Sequence, residues 1–442
     1  MPKVTKDPLG CLDANNLKEK ETLSQHFIKT SDYEDVLNPQ TLFISGRKGD
    51  GKTALAFMLK DEKDRKNRLR YEYAIVIRNY EFYHSIAISM RENILSSKAA
   101  YNSQIQEKID VRTYFEKLWQ YIIYIAAMNT IVNDSDKCGN IEPIKEYLSS
   151  NNLIAEGGEI ADNVINRVVT QDLFDDENPI LQAVASVVRI QERLDDPSFK
   201  RAIDTLRDHL KKEKHTILIV IDTLEKYYSA EEEFLKAVQG MLIAVHEIKL
   251  NSDNIRIHIK CFLPAELHDR FSDWNPSKVF DGTVFLRWSY KELLSLISKR
   301  YFTYIKKYYP EFNDHLNTSE IDWNNKDSVR HLFWDYFFPK QVTDHFGAKE
   351  DSFNYILRHS QRKPREIIYI VNRIINNSER NGNIPKITEE DIRVGVHDNL
   401  EQLVRDNLFA HHDKLDRLVK IVQIAFANES NVLSGKKLGP VS

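Results

Sequence analysis

Gly46, Gly51, Lys52 and Thr53 stand in the run GRKGDGKT and satisfy GxxxxGK[ST] at every fixed position. These residue types at this spacing suit one task, holding a polyphosphate. Glycines let backbone N–H groups wrap a β-phosphate, and the start of the following helix adds partial positive charge. The Lys52 ammonium can reach β- and γ-oxygens, and the Thr53 hydroxyl can ligate Mg²⁺. The chemistry expected is therefore binding of ATP with Mg²⁺. Its cradling positions are Gly46, Gly49, Asp50, Gly51, Lys52, Thr53 and Ala54. Gly49 adds a flexible position. The side chains of Arg47, Lys48 and Asp50 are expected to point outward, leaving Asp50 to touch phosphate through its backbone alone.

A metal held this way needs a carboxylate at the carboxyl end of a neighbouring buried strand. The run ILIVIDTLEKYY supplies Asp222 directly after the aliphatic residues Ile217 to Ile221. An acid in that place is costly to bury without a cation or donors; its plainer reading is a helix N-cap. Glu225, three residues on, is positioned to orient or deprotonate an attacking water, or is a solvated helix residue. With Lys52 and Asp222 it completes the expected catalytic set, and Thr53 and Asp222 form the expected metal set. Residue 223 is Thr, so no adjacent acid pair is present.

The elements that must position these groups follow from the pattern around them. Asn38-Pro39 is a turn signal, Leu42-Phe43-Ile44 begins a strand, and ALAFMLK after the glycines is built of helix formers. A second strand is expected over Tyr71 to Arg78. Strand, helix, strand in that order implies a parallel crossover. From Asn79 to about Lys214 helical stretches dominate, and the apolar segment Leu118 to Asn133 is expected to be a buried helix, too short and too interrupted for a membrane span. Strand runs resume at Thr216 to Ile221, which carries no charge, at Ile255 to Leu263 and at Thr283 to Leu286. From Tyr290 onward helical periodicity is expected without a comparable strand. A turn falls at Asn381 to Pro385, and an N-cap at Thr388 with Asp391 three residues on.

The fold class expected is α/β, a parallel sheet with a long helical insertion and a C-terminal α-helical lid. Its segments are 1–38 (N-terminal), 39–79 (first part of the core), 80–214 (insertion), 215–289 (second part of the core), 290–429 (lid) and 430–442 (tail). At 442 residues the chain exceeds one ordinary domain. Its 14 Gly and 13 Pro are few and its hydrophobic fraction is 42%, which excludes disordered and collagen-like classes. Lys plus Arg total 62 against 66 Asp plus Glu, so the chain is not built to coat nucleic acid. Cys11, Cys138 and Cys261 form no CxxC or Cys/His pattern, and with no apolar leader at the N-terminus the expected location is the cytoplasm.

Together these motifs resemble the ASCE division of P-loop NTPases, with Gly46 to Thr53 as Walker A and Asp222 as Walker B. Four hydrophobics, Asp, two residues and a second acid are similar to the layout of bacterial STAND-type or KAP-like signalling ATPases. More closely, FISGRKGDGKTAL, the strand ending CFLP, LRWSYKELLSLISKRY and SQRKPREIIYIVNRI resemble a bacterial P-loop ATPase family found beside anti-phage defence genes. The resemblance covers about Phe27 to Leu400 apart from the insertion. It implies a Mg²⁺-dependent ATPase, a sensor on the strand IRIHIKCFL and phosphate-contacting arginines in the lid. Pro264 stands where the sensor Arg or Asn is expected, which departs from the pattern. Arg362 and Arg365, flanking Pro364 at a helix start, are the lid candidates, with a solvated basic cap as the alternative. Arg270 is either an arginine finger toward a neighbouring subunit or a surface ion pair.

The remaining constellations have plain readings. In SKRYFTYIKKYY, Tyr301, Ile305 and Tyr308 recur at helical spacing and form a packing face. His411-His412 has no ligand partner at metal spacing, and Trp119 and Trp288 are apolar anchors. The resulting expectation is a nucleotide-driven switch ATPase in anti-phage defence, as a homo-oligomer with an effector protein partner and no membrane. The alternative is a DNA-stimulated motor or loader that binds nucleic acid; a small-molecule kinase ranks third.

Overall fold

A computed structural model of the chain describes residues 7–10, 12, 23–60, 73–77, 111–133, 141–154, 189–222, 232–251, 256–265, 267, 280, 282–315, 320–344 and 346–397. Glu225, Arg270, Cys11, Cys138, His411-His412 and the tail 430–442 lie outside the described residues.

Five parallel strands form the sheet: β1 (Phe43–Gly46), β2 (Tyr73–Ile77), β3 (Ile217–Ile221), β4 (Ile257–Pro264) and β5 (Val284–Phe285), in the order β2-β3-β4-β1-β5. The apolar runs of β2 and β3 are continuous because helices cover both faces. Ile217, Ile219 and Ile221 join one core, while Leu218 and Val220 join another on the opposite side. The second core is closed by α1 (Ser31–Leu37) and α2 (Lys52–Lys60). On the first face lie α3 (Val111–Asn133), α4 (Glu142–Ser150), α5 (Pro197–Lys212) and α6 (Glu232–Leu250). The described helices of segment 80–214 therefore share the core of the sheet rather than forming a separate lobe.

Leu118, Tyr121, Ile122 and Ile125 of α3 are at most 1% exposed, so this apolar helix is interior. No described helix is long and apolar enough to cross a membrane. Helices α3 and α6 meet so closely at Gly240 that a Cβ there would sit 2.2 Å from the backbone oxygen of Arg112. Gly240→Ala should therefore lower stability by about 3 kcal/mol, because the clash outweighs the ~1 kcal/mol that alanine gains in helix propensity. The urea midpoint of the variant reads this directly, and an unchanged midpoint would contradict the packing.

Lys260 is fully buried in the middle of β4, where its Nζ donates to the carbonyl oxygens of Asn38 (2.5 Å) and Thr41 (2.6 Å) ahead of β1. Burial, with a smaller contribution from the Lys249 ammonium, lowers its pKa from 10.5 to about 7. Between those values the unfolded chain holds a proton that the folded chain has released, so this group makes stability rise with pH, by at most ~1.4 kcal/mol per unit. Lys260→Met relieves the cost of that burial but leaves the Asn38 and Thr41 carbonyls without this donor; its stability should climb less steeply from pH 7 to pH 9, so that it melts lower than wild type at pH 9. Parallel profiles would show that Lys260 stays charged in the fold.

The C-terminal unit has a core of its own. It contains α7 (Tyr290–Tyr308), α8 (Ser352–Arg358), α9 (Pro364–Arg380) and α10 (Glu389–His397). Tyr301 and Ile305 are buried in it, as their spacing predicts. Thr388 caps α10, its backbone N–H donating to Asp391 Oδ2 and its Oγ1 accepting from the Asp391 N–H. One expectation is corrected here, because the unit is not free of strands. Gln341–Thr343 and Lys349–Asp351 pair as an antiparallel hairpin. Asp344 Oδ1 accepts the N–H groups of Phe346 and Ala348 in its turn, where Gly347 has a φ of 84°.

Candidate functional site

The glycine-rich segment leaves β1 at the carboxyl edge of the sheet and runs directly into α2. Gly49 and Gly51 adopt φ values of 92° and 93°, which only glycine reaches without strain, and these two kinks let the chain double back on itself. The carbonyls of this loop are held by named donors. Lys52 Nζ donates to Gly46 O (2.6 Å) and Arg47 O (3.0 Å), and the Asp50 N–H also donates to Arg47 O (3.1 Å). Trp288 Nε1 donates to Asp50 O at 2.9 Å, and the Arg365 N–H reaches Gly49 O at 3.4 Å. Among the described residues, the amides of Gly49, Gly51 and Thr53 have no protein hydrogen bond. Carbonyls tied back and amides left open, at the start of a helix, make a concavity of the kind that can receive an anion.

Asp50 departs from expectation. Its side chain is 2% exposed and turned into the loop, where Oδ2 accepts the Arg47 N–H at 2.7 Å and lies 3.5 Å from Arg47 Nε. An Asp side chain that caps a backbone amide three residues back favours a tight turn over solvent. Burial raises the pKa of the Asp50 carboxyl, opposed by the Arg47 amide and by the charges of Arg47 and Lys52. Arg47 and Lys48 are exposed, as expected.

A cleft of about 990 Å³, open mouth included, lies over the loop. Gly49, Asp50, Gly51, Lys52, Thr53 and Ala54 line its floor, and Arg365 with Pro364 lines the side formed by α9. Arg287 and Trp288 line it from the β5–α7 connection, and Leu12, His26, Phe27 and Ile28 from the N-terminal segment. Of the two candidate arginines, the structure brings only Arg365 to the loop. Arg362 is exposed, with a φ of 57°, and does not line the cleft.

Asp222 follows β3, is 2% exposed and does not line the cleft. Ile221 of β3 and Phe43 of β1 both register with Cys261 of β4, so Asp222 lies level with Ile44, one strand removed from β1 at the same edge. Two strand spacings separate the two strands, about 10 Å. Asp222 also reaches Cys261, whose thiol pKa is raised first by burial and then by that carboxylate. Glu225 lies outside the described residues. No cluster of three or more His, Cys, Asp or Glu that could hold a metal occurs among the described residues.

Two contributors escaped sequence reasoning. Trp288, taken as an apolar anchor, hydrogen-bonds the loop. The N-terminal segment forms a wall of the cleft and is strapped to the helical unit. The Leu9 N–H donates to Asn372 Oδ1 (2.7 Å), Leu9 O accepts from Arg300 Nη1 (2.8 Å), and the Ser31 N–H donates to Glu292 Oε1 (2.7 Å). The one available signal was polar side chains, Asn372 and Arg300, at positions of helical burial.

Residues 291–406 match a family model described as the FunZ-associated C-terminal helical domain. The match begins at the second residue of α7 and covers the helical unit. Comparison with curated proteins and with solved structures returns no match.

Proposed function

We propose that the chain is a Mg²⁺-dependent ATPase of the P-loop class, built on an ASCE-type core, and that it works as a nucleotide-driven switch. The observation that carries this reading is the loop itself, whose carbonyls are tied back while the amides of Gly49, Gly51 and Thr53 are open beside Lys52. The strand order is compatible with it: β4, the strand that the resemblance gives as the sensor candidate, stands between the strand that leads into the loop and the strand that ends at Asp222.

The polyphosphate occupies the loop in this reading. Backbone amides and the Lys52 ammonium hold it, and Lys52 exchanges its two loop carbonyls for phosphate oxygens. Arg365, on the facing helix, adds charge from the helical unit. The apolar wall of Phe27, Ile28 and Leu12 receives the nucleoside end. The Thr53 hydroxyl and the Asp222 carboxylate are hard oxygen donors of the kind Mg²⁺ takes, and a site that also uses substrate phosphates needs no larger acidic cluster. Bound there, the metal supplies neutralisation of charge on the phosphates. Glu225 is the proposed group that aligns water. Arg365 and Trp288 belong to, or lead into, the helical unit, so occupancy of the loop is felt there first. A defence role, a homo-oligomer and an effector partner rest on the family resemblance alone.

The test is ATP hydrolysis by the purified chain with and without DNA, with the mass measured in ATP, beside Glu225→Gln. Slow turnover indifferent to DNA, with an ATP-dependent change of mass that the variant prolongs, is the expected result. Acceleration by DNA of several-fold would put a DNA-stimulated motor in its place.

A further inference from the structure

We propose that Trp288 is a positioning residue of the nucleotide site. Its indole N–H fixes the peptide between Asp50 and Gly51 so that the Gly51 amide faces the phosphate, and it links that peptide to the helical unit. The inference rests on the nucleotide reading above and assigns a role that the loop motif does not contain.

In a trans peptide the carbonyl oxygen and the following N–H point in opposite directions. Trp288 Nε1 holds the Asp50 oxygen at 2.9 Å, so the Gly51 N–H is directed the opposite way within the peptide plane, away from the indole. Gly51 has a φ of 93° and no Cβ, so nothing local to the residue prevents this peptide from rotating. The indole supplies the missing restraint twice, through its N–H and through its ring, since a Cβ on Gly51 would lie 3.8 Å from Trp288 Cζ2.

The place of Trp288 in the chain gives the restraint its second consequence. Leu286 extends the pairing of β5 by donating its N–H to Ser45 O (2.8 Å), and the Arg287 N–H donates to Asp32 Oδ2 (2.7 Å). Ser289, the next residue after Trp288, caps α7 in a capping box with Glu292. Trp288 is therefore the single residue between a connection fixed to the sheet and a helix that belongs to the other unit. A tilt of α7 moves the indole, and movement of the indole frees or turns the peptide. The same link works in reverse, so a phosphate that locks the Gly51 amide also holds the indole, and with it the first turn of α7.

Calorimetric affinities of the full chain for ATP and for inorganic tripolyphosphate, both with Mg²⁺, test this in wild type and in Trp288→Phe. A second variant carries benzothienylalanine at 288, which keeps the shape of the indole but lacks the N–H and covers the case in which the phenylalanine variant folds poorly. A peptide left free to turn, at the scale of one neutral hydrogen bond, predicts both ligands to weaken by about fivefold to tenfold, with the melting temperature of the ligand-free protein lowered by only a few degrees and KM rising more than kcat falls. Weaker ATP binding with tripolyphosphate binding unchanged would mean that the indole contacts the base, and would overturn the proposal. Wild-type affinity for both ligands in the benzothienyl variant would overturn it also, with the nucleotide reading intact. If wild type binds neither ligand, the nucleotide reading itself fails.

Discussion

Lys52→Ala is expected to reduce ATP turnover at least ~100-fold, the scale set by removing one preorganised donor from a developing charge. The loss should exceed what the binding defect accounts for, because the ammonium is worth most where the γ-phosphoryl charge spreads in the transition state. The ground state already shows how the group is prepared. Lys52 is 3% exposed, and its Nζ is held 2.6 Å and 3.0 Å from Gly46 O and Arg47 O, within the loop that would receive phosphate. A ligand oxygen has only to replace one carbonyl with another acceptor, so little reorganisation is needed. The alanine variant leaves those two carbonyls without this donor, which costs the loop order and weakens binding as well. A control separates the site from general positive charge: Lys48 is exposed in the same loop, and Lys48→Ala should hydrolyse ATP within about twofold of wild type. Turnover by Lys52→Ala equal to that of wild type would remove the nucleotide site from the reading altogether.

The parts of this arrangement that could be seen in the sequence are those set by local rules. The buried strands β2 and β3 showed as apolar runs because both faces of the sheet are covered, and the loop showed because Gly49 and Gly51 need φ values that other residues avoid. The Asp50 side chain was misplaced for a physical reason. An exposed acid is the default in a loop, and only the three-dimensional turn shows that Asp50 can cap the Arg47 amide. The short hairpin was missed because QVT and KED carry no alternating apolar pattern; its signal lay in the turn, where Asp344 and Gly347 do the work. Trp288 and the N-terminal wall were illegible because their partners are hundreds of residues away. The contacts of Trp288 with Asp50 and of Leu9 with Asn372 depend on how the helical unit docks, and no local rule reports that.

Asp222→Asn should abolish most Mg²⁺-dependent turnover, again by ~100-fold or more, while the fold tolerates the change. A carboxylate that is 2% exposed at the end of a sheet strand is expensive to keep ionised, and an amide of the same shape removes the charge without opening a cavity. The melting temperature should therefore move by only a few degrees, whereas a structural anchor would lose far more. Register places Asp222 level with Ile44, across β4 from β1; in the proposed site its charge holds Mg²⁺ with Thr53. Two readings of the residue thus predict opposite patterns. A metal-holding Asp222 gives a variant with near-normal stability, ATP binding that no longer strengthens when Mg²⁺ is added, and little turnover. An Asp222 that merely caps the chain after β3 gives a less stable protein whose remaining folded fraction hydrolyses ATP at the wild-type rate. Measuring ATP affinity with and without Mg²⁺ beside the melting curve decides between them, because a cap cannot change the dependence of binding on the metal.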